Sequence, residues 1–148
     1  MRPKYPEEAL PQDVLNKASF AGSEYAWLVQ DIPEVIAAAR DANLISLGGQ
    51  LQFRLPGGGT CECYWVNIDI EDVATDLTLS WEERVNRSAE VALRKFEALQ
   101  GRFDFIAEGR SAFGLYLEAL ESQGHDPSDA MCFVWYVASQ DDDAHSQN

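Results

Sequence analysis

The sequence has little positive charge, few histidines and few cysteines. Its 148 residues carry 25 acidic and 11 basic side chains, so the formal net charge is −14 at pH 7; there are 2 histidines and 3 cysteines. Such a negative field repels nucleic-acid phosphates and attracts cationic surfaces. The composition therefore argues against nucleic-acid binding and favours a basic protein partner, although the same acidity also serves solubility.

Long apolar segments are also missing. No stretch approaches the roughly 18 apolar residues of a membrane-spanning helix, and the N-terminus has no apolar core of signal-peptide length. Three cysteines are too few for the disulfide framework of a small secreted protein. We therefore expect a cytoplasmic protein that does not contact a membrane. An apolar content of 46% is typical of one folded domain.

The acidic residues are unevenly distributed. No Lys or Arg occurs between Arg54 and Arg84, and none follows Arg110. Seven acids lie in the first of these gaps: Glu62, Asp69, Glu71, Asp72, Asp76, Glu82 and Glu83. Because like charges repel one another, acids without local counter-charge predict a surface that a cationic partner would stabilise.

Residues 47–70 have the pattern of a β-hairpin. Apolar Leu51 and Phe53 alternate with polar residues, the glycine-rich segment 56–59 supplies a turn, and Cys61 and Cys63 begin a second alternating arm. The two apolar faces match only if the loop has an odd number of residues, three or five. A five-residue loop would place Arg54 opposite Glu62 and Gln52 opposite Tyr64.

Two irregularities are expected in this hairpin. The apolar phase changes from Trp65 to Val66, which indicates a one-residue β-bulge or a strand buried on both faces. The pair Gly48-Gly49 predicts a bulge or a close approach of two backbones.

The remaining pattern predicts an α+β fold, an antiparallel sheet built on the hairpin and a C-terminal strand, packed against about three helices. We expect a helix opened by Asp31 and stopped near Asn43, a capping box at Ser80, and an edge strand from Tyr25. Further segments are helices over 81–100 (ended by Gly101) and 112–123, and a central strand over 131–137. Residues 1–24 form an irregular arm, 25–139 the domain, and 140–148 a disordered acidic tail. One core should contain Leu51, Phe53, Trp65, Val85, Phe96 and Val134.

Motifs for metal or phosphate binding are weak. Cys61, Cys63 and Cys132 are interpreted as core residues, because strand spacing separates the paired thiols of a zinc site. Asp69, Glu71, Asp72 and Asp76 lack the glycine and the final glutamate of a calcium loop. The loop 57–59 leads into a strand and not into the helix that a phosphate site requires. We expect no metal and no cofactor.

Two functional hypotheses remain. The first is a small acidic binding domain that inhibits or regulates a basic partner, as immunity-type inhibitors of nucleases do; this comparison depends on size and charge alone. Its partner-binding residues are expected to be Gln50, Gln52, Arg54, Glu62, Tyr64, Asp69, Glu71, Asp72 and Asp76. The alternative is a small enzyme or ligand-binding domain that uses His125 and a pocket between the sheet and a helix.

Overall fold

The computed structural model describes residues 4–141, which contain five β-strands and six α-helices. The strands are β1 (Ser19–Ala21), β2 (Glu24–Leu28), β3 (Ile45–Arg54), β4 (Thr60–Asp69) and β5 (Met131–Ala138). The helices are α1 (Gln12–Leu15), α2 (Ile32–Asp41), α3 (Glu71–Ala74), α4 (Trp81–Arg102), α5 (Phe105–Ser122) and α6 (Pro127–Ala130). All strands pair antiparallel in the order β1-β2-β5-β3-β4, which confirms the predicted α+β class.

The hairpin of β3 and β4 has a five-residue loop, but its register differs from the expected one. Arg54 pairs with Thr60, and Gln52 pairs with Glu62. Leu55 belongs to the loop, where its N–H donates to the carbonyl oxygen of Gly59. The expected pairs of Arg54 with Glu62 and Gln52 with Tyr64 are therefore wrong, because the loop begins one residue earlier than the proline suggests.

The bulge in β4 lies where the apolar phase changes, and it is larger than expected. Gln50 pairs with Asn67 whereas the next residue, Leu51, pairs with Cys63. Three residues of β4, numbers 64–66, therefore have no counterpart on β3. An insertion of three residues reverses the inward face just as an insertion of one does, so the sequence pattern fits both.

The glycines of β3 allow the close approach that was predicted. A side chain at Gly48, where φ is +123°, would place its Cβ 2.0 Å from the carbonyl oxygen of Ile68. At Gly49 the Cβ would lie 1.7 Å from the carbonyl oxygen of Val134. Only glycine fits at these two positions, because each neighbouring strand presents its backbone there.

The helix ends are set by local hydrogen bonds. The capping box at Ser80 is present, and Asn43 adopts the left-handed conformation with φ of 63°. Helix α4 runs through Gly101 to Arg102, so Gly101 does not end it. Helix α5 starts at Phe105, where the Asp104 side chain accepts a hydrogen bond from the N–H of Ala107, and it is kinked at Phe113, whose φ is −133° and ψ 38°. The predicted helix over residues 112–123 corresponds to the part after the kink, whereas the helical segment before the kink was not predicted.

Most of the core lies between the sheet and the helices. Leu51, Phe53 and Phe96 belong to it, as expected. Val85 belongs to a small separate cluster with Ile45, and Val134 lies in another cluster with Cys132. Trp65 is 37% exposed, so its assignment to the core is wrong.

The N-terminal segment is part of the fold where it is described. Leu10 and Val14 are buried, and Val14 accepts a hydrogen bond from the indole of Trp27 at 2.8 Å. Strand β1 forms the sheet edge, so β2 is an inner strand. The expected irregular arm over residues 1–24 is therefore corrected for residues 4–24. The predicted tail lies outside the described residues from 142 onward.

Strand β5 lies in the middle of the sheet, as predicted for residues 131–137, and both of its faces are covered. On one side the helices pack against Phe133 and Trp135. On the other side the sheet curls. The Arg54 side chain of β3 bonds to carbonyl oxygens of Ser19 and Ala21, although a flat sheet would hold β1 about 14 Å away.

Candidate functional site

The outer edge of the sheet carries an aromatic pair beside a run of acids. Tyr64 is 69% exposed and Trp65 37%, and their rings form an edge-to-face pair with centroids 5.3 Å apart. Exposed acids flank the pair on β4 and α3. We call the set the β4 surface: Glu62, Tyr64, Trp65, Asn67, Asp69, Glu71 and Asp72.

The bulge that presents the aromatic pair is closed by a hydrogen bond. The Nδ2 group of Asn67 donates to the carbonyl oxygen of Tyr64 at 2.8 Å. Val66, between these residues, is fully buried and fixes the bulge to the core. The backbone that carries the two rings is therefore fixed by this hydrogen bond and by the burial of Val66.

The acidic segment after β4 is ordered by its own side chains. The Asp69 carboxylate accepts a hydrogen bond from the N–H of Glu71 at 2.9 Å, at the start of α3. The Asp76 carboxylate accepts bonds from the side chain and the backbone of Thr78, and these bonds lower the pKa of Asp76. Glu71 and Asp72 remain exposed.

Helix α4 places positive charge near these acids, although the sequence has no Lys or Arg between Arg54 and Arg84. Arg87 and Arg84 also lower the pKa of Asp76, although less than the bonds from Thr78. Lys95 Nζ donates to the carbonyl oxygen of Asp69 at 2.9 Å. The premise that the acids have no local counter-charge is therefore corrected for Asp69 and Asp76, because bases of α4 lie close to both residues.

Gln52 and Arg54 lie on the polar face of the sheet, where their side chains form hydrogen bonds within the protein. Gln52 is fully buried, and its Nε2 group lies 3.4 Å from a carboxylate oxygen of Glu24 and 3.4 Å from one of Glu62. Tyr136 donates a hydrogen bond to Glu24. Gln50 is half-buried on the same face. These residues connect strands β2, β3, β4 and β5 within the protein.

The guanidinium of Arg54 has all five of its N–H groups directed at protein acceptors. Nε donates to Gln52 at 3.3 Å, and Nη1 donates to the carbonyl and hydroxyl oxygens of Ser19 at 2.8 and 2.9 Å. Nη2 donates to the carbonyl oxygens of Ala21 and Glu24 at 3.4 and 3.0 Å. No N–H of this side chain is left for a partner.

The alternative hypothesis requires His125 to lie in a pocket between the sheet and a helix, and His125 does not line the cleft between β4 and α4. His125 is exposed just after α5, where its backbone N–H donates to the carbonyl oxygen of Leu120. A cleft of about 390 Å³ does lie between β4 and α4, but His125 is not among its lining residues. They are Asn67, Ile68, Asp69, Lys95, Ala98, Leu99 and Arg102.

The three cysteines are free and buried, which confirms their interpretation as core residues. Burial raises the pKa of Cys63 and of Cys132 to about 11, so both remain protonated thiols at neutral pH. Residues 4–141 contain no cluster of three or more His, Cys, Asp or Glu placed to hold a metal ion. In the same range, no helix has both the length and the apolar character needed to cross a membrane.

Of the predicted partner-binding residues, the structure brings Glu62, Tyr64, Asp69, Glu71 and Asp72 to one edge. Sequence reasoning missed Trp65, although the change of apolar phase beside it was the signal that this residue leaves the core. The chain matches no family model, no curated protein and no solved structure.

Proposed function

We propose that this protein is an acidic protein-binding domain whose β4 surface docks a basic protein, as an inhibitor or regulator of the immunity type. The observation that carries the proposal is the Tyr64–Trp65 pair, held out on a closed bulge and bordered by exposed acids. We assign it to the cytoplasm, where three free buried thiols stay reduced.

Tyr64 and Trp65 are of the residue types found at the centres of protein–protein interfaces. Aromatic residues, Trp and Tyr above all, are enriched among the residues that dominate binding energy. They need a surrounding rim that excludes water and selects the partner. Glu62 precedes the pair on β4, and Glu71 and Asp72 follow it on α3, so the exposed charges along this edge favour a cationic surface and repel an anionic one.

Gln52 and Arg54 are left out of the proposed contact, because both are engaged inside the protein. Asp69 and Asp76 take part through their charge, but their carboxylates also hold local turns. A charge reversal at these two positions would disturb folding as well as binding. The informative reversals are therefore at Glu71 and Asp72, which are exposed.

The test compares three forms of the full chain: the wild type, the double variant Glu71→Lys/Asp72→Lys, and the variant Trp65→Ala. Partners captured from the native host are purified, and their association and dissociation are then measured at low and high ionic strength. We expect the double variant to lower the association rate by at least about tenfold at low salt. Trp65→Ala should instead speed dissociation.

A matched control separates local charge from net charge. Glu118→Lys/Asp129→Lys changes the net charge by the same amount on exposed positions of α5 and α6. If the control slows association as much as Glu71→Lys/Asp72→Lys does, the acids act through net charge and the β4 surface is not the docking site. Unchanged kinetics in both β4-surface variants would also overturn the proposal.

A further inference from the structure

We infer that the Tyr64–Trp65 pair is a subsite for one arginine side chain of the partner. The inference rests on the proposed function and adds the chemical group that the aromatic rings select. An exposed indole binds a cation over its face, and the planar guanidinium stacks there better than the compact ammonium of lysine.

The other aromatic rings near cations already have them from within the chain. Among the described residues, Lys4 lies 5.4 Å from the centroid of Tyr5, Arg84 lies 5.2 Å from Trp81, and Arg102 lies 5.0 Å from Phe103. Within residues 4–141 no Lys or Arg lies over Trp65 in this way. The ring most suited to a cation is thus exposed beside acids and has no internal cation.

The indole N–H groups show the same contrast. Trp27, Trp81 and Trp135 donate to the carbonyl oxygen of Val14, the carbonyl oxygen of Asn43 and the hydroxyl of Ser46, respectively. All three rings are buried. Within residues 4–141, no acceptor binds the indole N–H of Trp65. Three tryptophans are therefore structural, and Trp65 is available to a ligand.

The surrounding charges suit a single cation. Glu62 lies two residues before the pair and Asp69 four residues after it. On the inner side, Lys95 and Arg102 line the cleft next to Asn67. A polybasic segment lying across this position would meet those two bases. One guanidinium placed on the rings and facing the acids avoids them.

The test uses capped pentapeptides of the form Gly-Gly-X-Gly-Gly, where the single X is arginine, lysine or the neutral isostere citrulline. Binding to the full chain is followed by two-dimensional NMR of the four indole N–H groups. We expect the signal of Trp65 to shift while the other three stay in place. Arginine should bind about threefold more tightly than lysine, and citrulline should bind most weakly.

Two variants identify the source of that preference. Trp65→Leu keeps an apolar side chain but removes the aromatic face, so it should abolish the preference for arginine. Tyr116→Leu removes an aromatic residue that is 56% exposed on α5, and it should leave the preference unchanged.

The outcomes separate the subsite from the proposed function. Equal binding of arginine and lysine peptides, weakened alike by Glu71→Lys/Asp72→Lys, would overturn the subsite and leave an acidic docking surface in place. A preference for arginine that survives Trp65→Leu, or the absence of any shift at Trp65, would also overturn the subsite. The proposed function is tested separately, by the association and dissociation kinetics of the purified partner.

Discussion

The packing of α5 on the sheet can be tested at a single glycine. Gly109 is buried in α5, and an added Cβ would lie 2.5 and 2.6 Å from two ring atoms of Phe53. It would also lie 3.2 Å from a methyl group of Leu117. Phe53 is fully buried in the main core, so its ring has no free space into which to move. The helix approaches the sheet this closely only because residue 109 has no side chain.

Two opposing effects decide the result of Gly109→Ala. Replacing glycine by alanine inside a helix stabilises it by about 1 kcal/mol. Overpacking a filled core costs about 1–3 kcal/mol. We therefore expect no gain, and a loss of up to about 2 kcal/mol. Gly101→Ala is the control, because it lies in α4 with nothing within 4 Å of its added Cβ. The control should gain up to about 1 kcal/mol.

A double-mutant cycle shows whether Phe53 causes the loss. Phe53→Ala alone should lower the free energy of unfolding by about 3–5 kcal/mol. In that background the clash is gone, so Gly109→Ala should become neutral or stabilising, with a coupling energy of about 1–3 kcal/mol. Phe53→Leu serves if Phe53→Ala does not fold. Urea unfolding measures each corner. A gain at Gly109 equal to that at Gly101, or a coupling below about 0.5 kcal/mol, refutes the packing.

Three further results are expected. The native protein should show almost no reactive thiol at pH 8, whereas the denatured chain should titrate Cys61, Cys63 and Cys132; rapid reaction of the native form would contradict their burial. The free energy of unfolding should fall between about pH 9 and 11, because the thiols of Cys63 and Cys132 then ionise in the unfolded chain but stay protonated when folded; Cys132→Val should make this fall less steep. Arg54→Lys should cost at least about 2 kcal/mol in urea unfolding, since lysine cannot reach the same five acceptors, whereas exposed Arg87→Lys should stay within about 0.5 kcal/mol.

Features that depend on neighbouring residues could be predicted from the sequence. The capping box at Ser80 needs only Glu83 three residues later, and the left-handed turn at Asn43 needs only its own backbone. The residue type alone predicted a bulge or a close approach at Gly48 and Gly49, and a close approach is present at both. The sequence patterns predicted the α+β class from such local evidence.

Features that depend on distant partners could not be predicted. Arg54 lies on a polar strand face, which suggests a binding residue, but its acceptors on β1 come from more than 30 residues earlier in the chain. Likewise, Phe103 and Phe105 have strand spacing. They belong instead to a helix boundary, because Phe103 ends α4 and Asp104 caps α5. In both cases the local sequence is compatible with two structures, and tertiary contacts determine which of the two forms.

The bulge of β4 also bears on why an edge strand would expose two aromatic rings. An edge strand needs protection against pairing with other chains, and a bulge supplies it by interrupting the regular row of free backbone groups. Protection alone would be met by charged side chains or proline, which natural edges use. Tyr64 and Trp65 add exposed apolar area instead, at the position where the closing bond from Asn67 fixes the backbone. The bulge thus interrupts backbone pairing at residues 64–66 and presents side chains there instead. If the proposed docking is correct, Trp65 and the acids near it are where binding should be tested.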